Sequence, residues 1–250
     1  MTVFKLKIIA CAAMLIDHIG AAIMLPMIED ANVVTSLFMS SYWLMRYVGR
    51  VAFPIFAYLI ANGGQHTKSV GKYMLRLGAL AIVSELLFDI AFRSPTGINF
   101  LSDTNIFYTL FLGVAAIFIY EKVGQGLKKL GEMSGQFMPA KILAVVAALP
   151  MLYFALRLGT DYSYTGVGLI LAIYIIRPEN KIGSCIAMVA GMIILYHANI
   201  LLLVFSLIAV VLIAVYNGKP GLYNQKIKWG FYLFYPAHLA ALIAVRAIIL

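Results

Sequence analysis

The hydrophobic residues of this chain fall into long continuous runs that short polar segments separate, and the runs do not alternate apolar with polar positions. About 20 apolar residues are enough to cross a bilayer as an α-helix, whereas a membrane β-strand would show alternation. The pattern predicts about nine spanning helices, with eight or ten as alternatives. The predicted spans are 5–25, 42–63, 71–92, 104–121, 139–157, 161–177, 181–197, 199–216 and 228–249.

Two stretches between these spans need a separate interpretation. The seventh and eighth spans form one apolar run that, as a single helix, would measure about 50 Å and exceed the bilayer. We therefore predict a hairpin at His197, Ala198 and Asn199. The segment 122–138 is rich in glycine and contains Lys128 and Lys129, which predicts a flexible connector, with a short amphipathic helix as an alternative.

The composition supports the same class, an all-α polytopic transmembrane helix bundle in a single domain, 1–250. Hydrophobic residues make up 63% of the chain and charged residues 12%, whereas soluble domains have about 45–50% and about 25%. The net charge of +9 is read as a sign of membrane topology and not of nucleic-acid binding. Cys11 and Cys185 are far apart in apolar runs, so neither a disulfide nor a metal site is predicted.

The basic residues predict the orientation of the bundle. If the N-terminus lies in the cytoplasm, most of the 19 Lys and Arg residues fall in cytoplasmic segments, as the positive-inside rule requires. An odd number of spans then places the C-terminus outside. The basic residues that fall on the outer side are Arg46, Arg50, Arg93, Arg157 and Arg246.

Ionisable residues inside the predicted spans are the candidates for chemistry. Asp17 and His18 lie well inside the first span, where a charge costs about 2.5 to 3.5 kcal/mol on insertion scales unless it is paired or faces water. The predicted topology brings polar groups of five spans to the zone between the midplane and the outer leaflet. These residues are Asp17, His18, Arg46, Arg50, Glu85, Asp89, Asp161 and His238.

Adjacent residues of a helix point about 100° apart, so Asp17 and His18 are expected to have different partners. We predict that Asp17 pairs with Arg46 or Arg50 and that His18 faces a cavity as a general base, with His238 as the second candidate base. Purely structural ion pairs are the alternative. These would be Arg46 with Glu85 and Arg50 with Asp89.

Five motifs in the same order, between Lys5 and Leu239, give the chain a resemblance to the TraX family. They are LKIIACAAMLIDHIG, GRVAFPIFAYLIANG with the following KYMLRLGALAIVSELLFD, NIFYTLFLG, DYSYTGVG and YLFYPAHL. The resemblance implies a multi-pass protein of the bacterial inner membrane, similar to pilin N-terminal acetylases and to a wider group of transmembrane acyltransferases. It also implies an active region that includes Asp17, His18, Arg46, Arg50, Asp89, Asp161 and His238, to which we add Glu85, Asn105 and Tyr164.

A CoA-dependent acetyltransferase is therefore the expected function, acting on a peptide N-terminus or an envelope molecule at the membrane. Acetyl-CoA is the expected acyl donor, and no metal or nucleic acid is expected. Lys68, Lys72 and Arg76 are expected to hold its phosphates at the cytoplasmic face, while Arg46 or Arg50 stabilises the oxyanion. The alternative is a proton-coupled transporter, because buried Asp, His and Arg residues also form proton relays.

Overall fold

In the computed structural model, residues 1–31, 33–92, 102–134 and 139–249 are described, and all regular secondary structure within these ranges is helical. The all-α prediction is confirmed. The helices are α1 (Val3–Asp30), α2 (Ser36–His66), α3 (Val70–Phe92), α4 (Ile106–Ser134), α5 (Ala140–Arg157), α6 (Ser163–Ile176), α7 (Lys181–Tyr196), α8 (Ile200–Ala214) and α9 (Gln225–Ile249). Each predicted span overlaps one of these helices, whereas Arg93 of the topology argument lies outside the described residues.

Length and hydropathy make this a helical membrane protein. Helices α1, α2, α4, α5 and α9 are long and apolar enough to cross a membrane. Helices α6, α7 and α8 are apolar but shorter, with 14, 16 and 15 residues. Helix α3 has 23 residues but carries Lys72, Arg76, Glu85 and Asp89. The count of nine crossings and the cytoplasmic N-terminus stay predictions.

Proline shapes the helix that carries the two buried arginines. Helix α2 consists of two α-helical segments, Ser36–Gly49 and Ala52–His66, that meet at Arg50 and Val51. Pro54 has no N–H, and its ring would clash with the carbonyl of the residue four positions earlier, which is Arg50. The N–H groups of Arg50 and Val51 instead bond to carbonyls three residues back, at 3.1 and 3.2 Å. The disruption of this helix therefore lies one turn before the proline.

Helix α1 also departs from regular α geometry, directly after its Asp-His pair. Its α-helical part Val3–Ile19 is followed by a π-helical turn at Gly20–Met24 and a final α-helical segment, Leu25–Asp30. Pro26 lies at the start of that last segment and removes one N–H from the regular ladder. Such π turns are rare and often occur at functional sites.

The helices pack so that five of them surround one interior region. Helix α1 contacts both halves of α2 and also α9, α9 packs on α3, and α3 packs on α4. Helices α5 and α6 cover the outer face of α4, while α7 and α8 continue from α6 round to α2. The interior that α1, α2, α3, α4 and α9 enclose contains most of the predicted polar residues.

The prediction of a flexible connector is wrong for residues 122–134, where α4 continues as a helix to Ser134. Side chains one turn apart support this extension, because Gln125 donates to Glu121 at 3.1 Å and Lys128 lies 3.8 Å from Glu132. The rest of the predicted connector, which includes Gly135, falls outside the described residues.

The hairpin predicted between the seventh and eighth spans is present. Helix α7 ends at Tyr196 and α8 begins at Ile200. The side chain of Asn199 accepts hydrogen bonds from the N–H groups of Leu201 and Leu202, at 3.1 and 3.2 Å. This capping residue satisfies two N–H groups that the start of α8 would otherwise leave unpaired.

Candidate functional site

Two histidines from the first and last helices meet inside the bundle. Nδ1 of His18 lies 2.7 Å from Nε2 of His238, and the two rings are stacked with an interplanar angle of 19°. Both residues are buried, with 9% and 6% of their surface exposed. Phe92 and Tyr235 pack against the His18 ring edge to face. The ring of His18 is therefore held on several sides.

The hydrogen bonds of this pair define the tautomer of each ring. Nδ1 of His238 lies 2.8 Å from the carbonyl oxygen of Phe234, which can only accept, so this nitrogen carries a hydrogen. In the neutral pair, Nε2 of His238 is then the acceptor and Nδ1 of His18 is the donor. Nε2 of His18 keeps its lone pair and bonds to no residue that the structure describes. His18 is thus the ring that can take up a proton.

The neighbouring Asp17 lies between two guanidinium groups. Its Oδ1 is 2.9 Å from Nη1 of Arg46, and its Oδ2 is 2.6 Å from Nη2 of Arg50. Arg46 also donates to the backbone carbonyl of Asp17 at 3.4 Å, and Nε of Arg50 donates to the carbonyl of Arg46 at 3.1 Å. The carboxylate is shared by two cations, so positive charge remains in excess among these three side chains. The alternative pairing of the arginines with Glu85 and Asp89 is replaced by this arrangement.

A glycine makes the contact between α1 and α2 possible. A Cβ atom at Gly49 would overlap the Cβ and Cγ atoms of Asp17. Only a residue without a side chain therefore lets the two helices approach closely enough here. Gly49 precedes the irregular turn at Arg50, so the close contact and the turn together place both arginines against Asp17.

A small cavity of about 30 Å³ adjoins these residues. Asp17 and His18 line it from α1, and Phe53 and Tyr162 line it from the other side. The rings of Phe53 and Tyr162 stack with their centroids 3.6 Å apart. Asp161 also lines this cavity and is exposed, so it lies at the outer rim. The space is large enough for two or three heavy atoms, because a water needs about 10 to 15 Å³.

A larger cavity of about 360 Å³ begins where the small one ends. Met14, Phe56 and Ile106 line both, so the two spaces adjoin. The larger cavity extends along α1 and α9 towards the end of the bundle predicted to face the cytoplasm. Its volume is typical of a site for a small molecule or cofactor.

The far end of the larger cavity is cationic. Lys7, Arg76 and Lys228 line it and are half-buried, and His66 lies at the exposed edge. No acidic side chain occurs among the described residues that line this cavity. Along α1, Lys7 is eleven residues from His18, a distance of about 17 Å. The larger cavity therefore has an end suited to anions and adjoins the small cavity that His18 lines.

A second polar cluster fixes the start of α4 beside the cavities. Asn105 is fully buried, and its Nδ2 donates to Oε2 of Glu85 at 2.6 Å and to the carbonyl of Ala81 at 2.8 Å. Its backbone N–H donates to the same carboxylate at 3.0 Å, and its Oδ1 accepts from the N–H of Phe107 at 2.9 Å. These bonds cap α4 and hold its first residue, Ile106, against both cavities.

Comparison with known proteins identifies the family. Residues 4–246 match the family described as TraX protein, which is nearly the whole chain. The chain belongs to the TraX family.

One curated member of this kind is similar along its full length. It is the probable fimbrial assembly protein FimC, serogroup H1, of Dichelobacter nodosus, which is 26% identical over 265 residues that cover 97% of this chain and 95% of that protein. No solved structure matches the chain. The TraX-family resemblance predicted from the five motifs is confirmed.

The structure brings together five of the residues predicted for the TraX-family site. They are Asp17, His18, Arg46, Arg50 and His238. Asp161 lies at the rim of the small cavity, and Glu85 and Asn105 lie behind the start of α4. Four other predicted residues line neither cavity, and the same holds for Arg46, Arg50 and His238; the roles assigned to all of the predicted site residues stay predictions. Asp89 is buried on α3, and Tyr164, Lys68 and Lys72 are exposed.

Several residues of the cavities were not among the sequence candidates. Lys7 and Lys228 lie at the cationic end with Arg76, and Tyr162 and Tyr235 lie near His18. Helical periodicity is the sequence signal that could have identified these residues. Eleven residues are about three turns, so Lys7 and His18 share one face of α1. On α9 the same face carries Lys228, Tyr235 and His238.

Proposed function

We propose that this TraX-family protein transfers an acetyl group from acetyl-CoA to an acceptor at the membrane, with the N-terminal amine of a pilin or other envelope peptide as the acceptor. The observation that supports the proposal is that a cavity with a cationic end adjoins the small cavity lined by His18, whose Nε2 bonds to no described residue. The name of the similar fimbrial assembly protein FimC and the pilin acetylation implied by the TraX-family resemblance support a pilin-type acceptor.

The shape and charge of the larger cavity suit an acyl-CoA. The nucleotide end of CoA carries phosphates, which Lys7, Arg76 and Lys228 would bind as half-buried cations without competing carboxylates. The pantetheine arm is long, thin and weakly polar, and the middle of the cavity is lined by apolar side chains such as Leu59, Leu77 and Leu110. The thioester would then lie beside Ile106, where the two cavities meet.

The acyl-transfer step follows from the histidine pair. The acceptor amine attacks the thioester carbonyl carbon, and the electrons of the C=O bond move to oxygen. Nε2 of His18 takes one proton from the amine, while His238 keeps the ring in the tautomer that leaves this nitrogen free. When the C=O bond forms again, the C–S bond breaks and the CoA thiolate takes the proton from His18. The products are the acetylated acceptor and CoA.

Asp17 and the two arginines have a supporting role in this scheme. Asp17 fixes Arg46 and Arg50 next to His18, and their excess positive charge lowers the free energy of the negative charge that develops in the transition state. The small cavity beside them accommodates an acetyl group but no long acyl chain. A short-chain donor is therefore part of the proposal.

The proposal is tested with the purified protein in lipid nanodiscs. Radiolabelled acetyl-CoA is incubated with a peptide that has the N-terminal sequence of a pilin and with the same peptide blocked at its amine. We expect transfer to the free peptide only, and its loss in His18→Gln with an unchanged thermal unfolding temperature. His197→Gln is the matched control, because His197 lies at the exposed α7–α8 hairpin and is expected to have no effect. Full activity of His18→Gln would refute the assignment of the base.

Proton-coupled transport is the second candidate, and one observation favours it. The two adjoining cavities lead from the cationic end past the histidine pair to Asp161 at an exposed rim, which resembles a route through the bundle. Buried ionisable residues along such a route are typical of proton relays. Reconstituted liposomes distinguish the two functions: proton or solute flux without acetyl-CoA would support transport, whereas transfer without flux supports the acetyltransferase.

A further inference from the structure

Tyr235 is a buried side chain with a hydroxyl group that has no role in the acyl transfer proposed above. Only 3% of its surface is exposed, and it lines the larger cavity at the end nearest the histidines. Its ring centroid lies 5.9 Å from that of His18 and 5.4 Å from that of His238. Packing against Phe107, with centroids 5.1 Å apart, fixes the ring from the side of α4.

The hydroxyl group of Tyr235 has a hydrogen to donate and no described residue that accepts it. The polar group that faces its oxygen is the backbone N–H of Ile106, and an N–H can only donate. A buried donor without an acceptor destabilises a folded protein, and most are paired. An unpaired hydroxyl on the wall of a cavity therefore points to an acceptor atom on a ligand.

The start of α4 strengthens this donor. Ile106 is the first residue of a 29-residue helix and lines both cavities at their junction. The first N–H groups of a helix have no partner within the helix, and that end carries a partial positive charge. The N–H of Ile106 lies near the tyrosine oxygen without forming a hydrogen bond of regular geometry, and the partial positive charge at this helix end makes the hydroxyl a better donor.

The arginines near His18 are less suited to this role. Arg46 and Arg50 both bind the carboxylate of Asp17, at 2.9 and 2.6 Å, so their best-placed hydrogens are already used. Tyr235 combines an unused hydrogen, a fixed ring and a position between the larger cavity and the base. These three properties define a preorganised donor for developing negative charge.

We propose that the hydroxyl of Tyr235, supported by the start of α4, donates its hydrogen bond to the thioester carbonyl oxygen of the acyl donor. This inference rests on the acyl transfer proposed above. When the acceptor amine attacks the carbonyl carbon, the C=O electron pair becomes an oxyanion, and the Tyr235 hydrogen bond stabilises it without giving up its proton. When the C–S bond breaks, the C=O bond forms again and the hydroxyl returns to its starting state.

Tyr235→Phe tests the inference, because it removes one oxygen and keeps the ring. We expect kcat for acetyl transfer to fall about 100-fold with little change in KM for acetyl-CoA, the size of effect that the loss of one oxyanion donor has elsewhere. The unfolding temperature of the free protein should stay the same or rise, because an unpaired buried hydroxyl is removed. Tyr153→Phe on α5 is the matched control, since Tyr153 is 58% exposed, and it should change neither quantity.

Two results would overturn the inference. A kcat within about threefold of the wild-type value would show that the hydroxyl does not contact the reacting atoms. A lower unfolding temperature of free Tyr235→Phe would show that the hydroxyl makes a structural hydrogen bond. The thermal measurement needs no turnover, so it still decides the state of the hydroxyl if the wild-type protein transfers no acetyl group and the proposed function itself fails.

Discussion

Two buried polar clusters lie on neighbouring helices of this bundle, and their hydrogen bonds are used differently. In the Glu85–Asn105 cluster, the amide and the carboxylate bond to each other and to the backbone at the start of α4, and neither residue lines either cavity. In the His18–His238 pair, Nε2 of His18 bonds to no residue that the structure describes, and His18 lines a cavity. The first cluster positions a helix, whereas the second has a group left to react.

The comparison shows that burial and charge alone do not identify a chemical site. Glu85 and Asn105 are each 0% exposed, and so are more buried than His18 at 9%. The feature that distinguishes the histidines is an unused hydrogen-bonding atom beside an enclosed space. Tyr235 meets the same criterion, and Asn105, with its side-chain groups paired to Glu85, Ala81 and Phe107, does not.

The largest effect on acetyl transfer is expected from the His18–His238 pair. His238→Phe should lower kcat about 100-fold, which corresponds to about 2.7 kcal/mol, because His18 loses the acceptor that fixes its tautomer. His238→Gln offers an amide oxygen as a replacement acceptor and should recover activity to within about tenfold of wild type. Acetyl-transfer kinetics in nanodiscs measure both values.

Nitrogen NMR gives an independent check of the same pair. The chain has four histidines, so ¹⁵N-histidine labelling yields few signals, and single substitutions assign them. We expect His18 and His238 both to carry their hydrogen on Nδ1. A hydrogen on Nε2 of His18 would contradict the assigned tautomer, even if the enzyme were active.

A smaller effect, on the stability of the fold and not on acetyl transfer, is expected from the Glu85–Asn105 cluster. Asn105→Ala removes the cap of α4 and the two hydrogen bonds that the side-chain amide donates to Glu85 and to the carbonyl of Ala81, so it should lower the free energy of unfolding by about 2 kcal/mol. Asn180→Ala is the control, because Asn180 caps α7 with an exposed side chain and should cost about 1 kcal/mol or less. Thermal unfolding in detergent compares the two. A kcat loss in the folded Asn105→Ala protein as large as that of His238→Phe would remove the distinction between the clusters.

The smallest effect is expected at the cationic entrance. Lys7→Gln and Arg76→Gln should each raise KM for acetyl-CoA about tenfold, or about 1.4 kcal/mol, and leave kcat nearly unchanged, because under the proposed function these charges would bind the donor far from the reacting bond. Lys68→Gln and Lys72→Gln change exposed residues that line neither cavity, and should shift KM less than about twofold. Equal shifts in KM for all four variants would place the phosphate site at the surface, near Lys68 and Lys72.

The positions of the helices could be predicted from sequence because membrane length imposes them. Apolar runs near 20 residues leave few choices, and the predicted spans differ from the helices by a few residues in most cases. The extension of α4 to Ser134 was missed since its glycines and lysines suggest a loop. There, pairs one turn apart, such as Lys128 with Glu132, favour the helix and do not show in composition.

The charged part of the site was also predictable, but the cavity was not. A carboxylate and two arginines inside apolar spans must find one another, so the pairing of Asp17 with Arg46 or Arg50 followed from the cost of burial. Tyr235 and Lys7 look ordinary in sequence, because tyrosine and lysine are common near helix ends in membranes. Their significance depends on the packing of α1 against α9, and no local pattern specifies that contact.

Helices α1 and α9 each hold a lysine at a set distance from one of the two buried histidines. Lys7 precedes His18 by eleven residues and Lys228 precedes His238 by ten, so the helices set two nearly equal lengths, about 17 and 15 Å. Lys7 and His18 lie on a regular α-helical stretch that keeps their distance fixed, whereas Pro236 lies between Lys228 and His238 on α9. Under the proposed acyl transfer, these two distances would favour a donor whose anionic head and reactive end are about 15 to 17 Å apart.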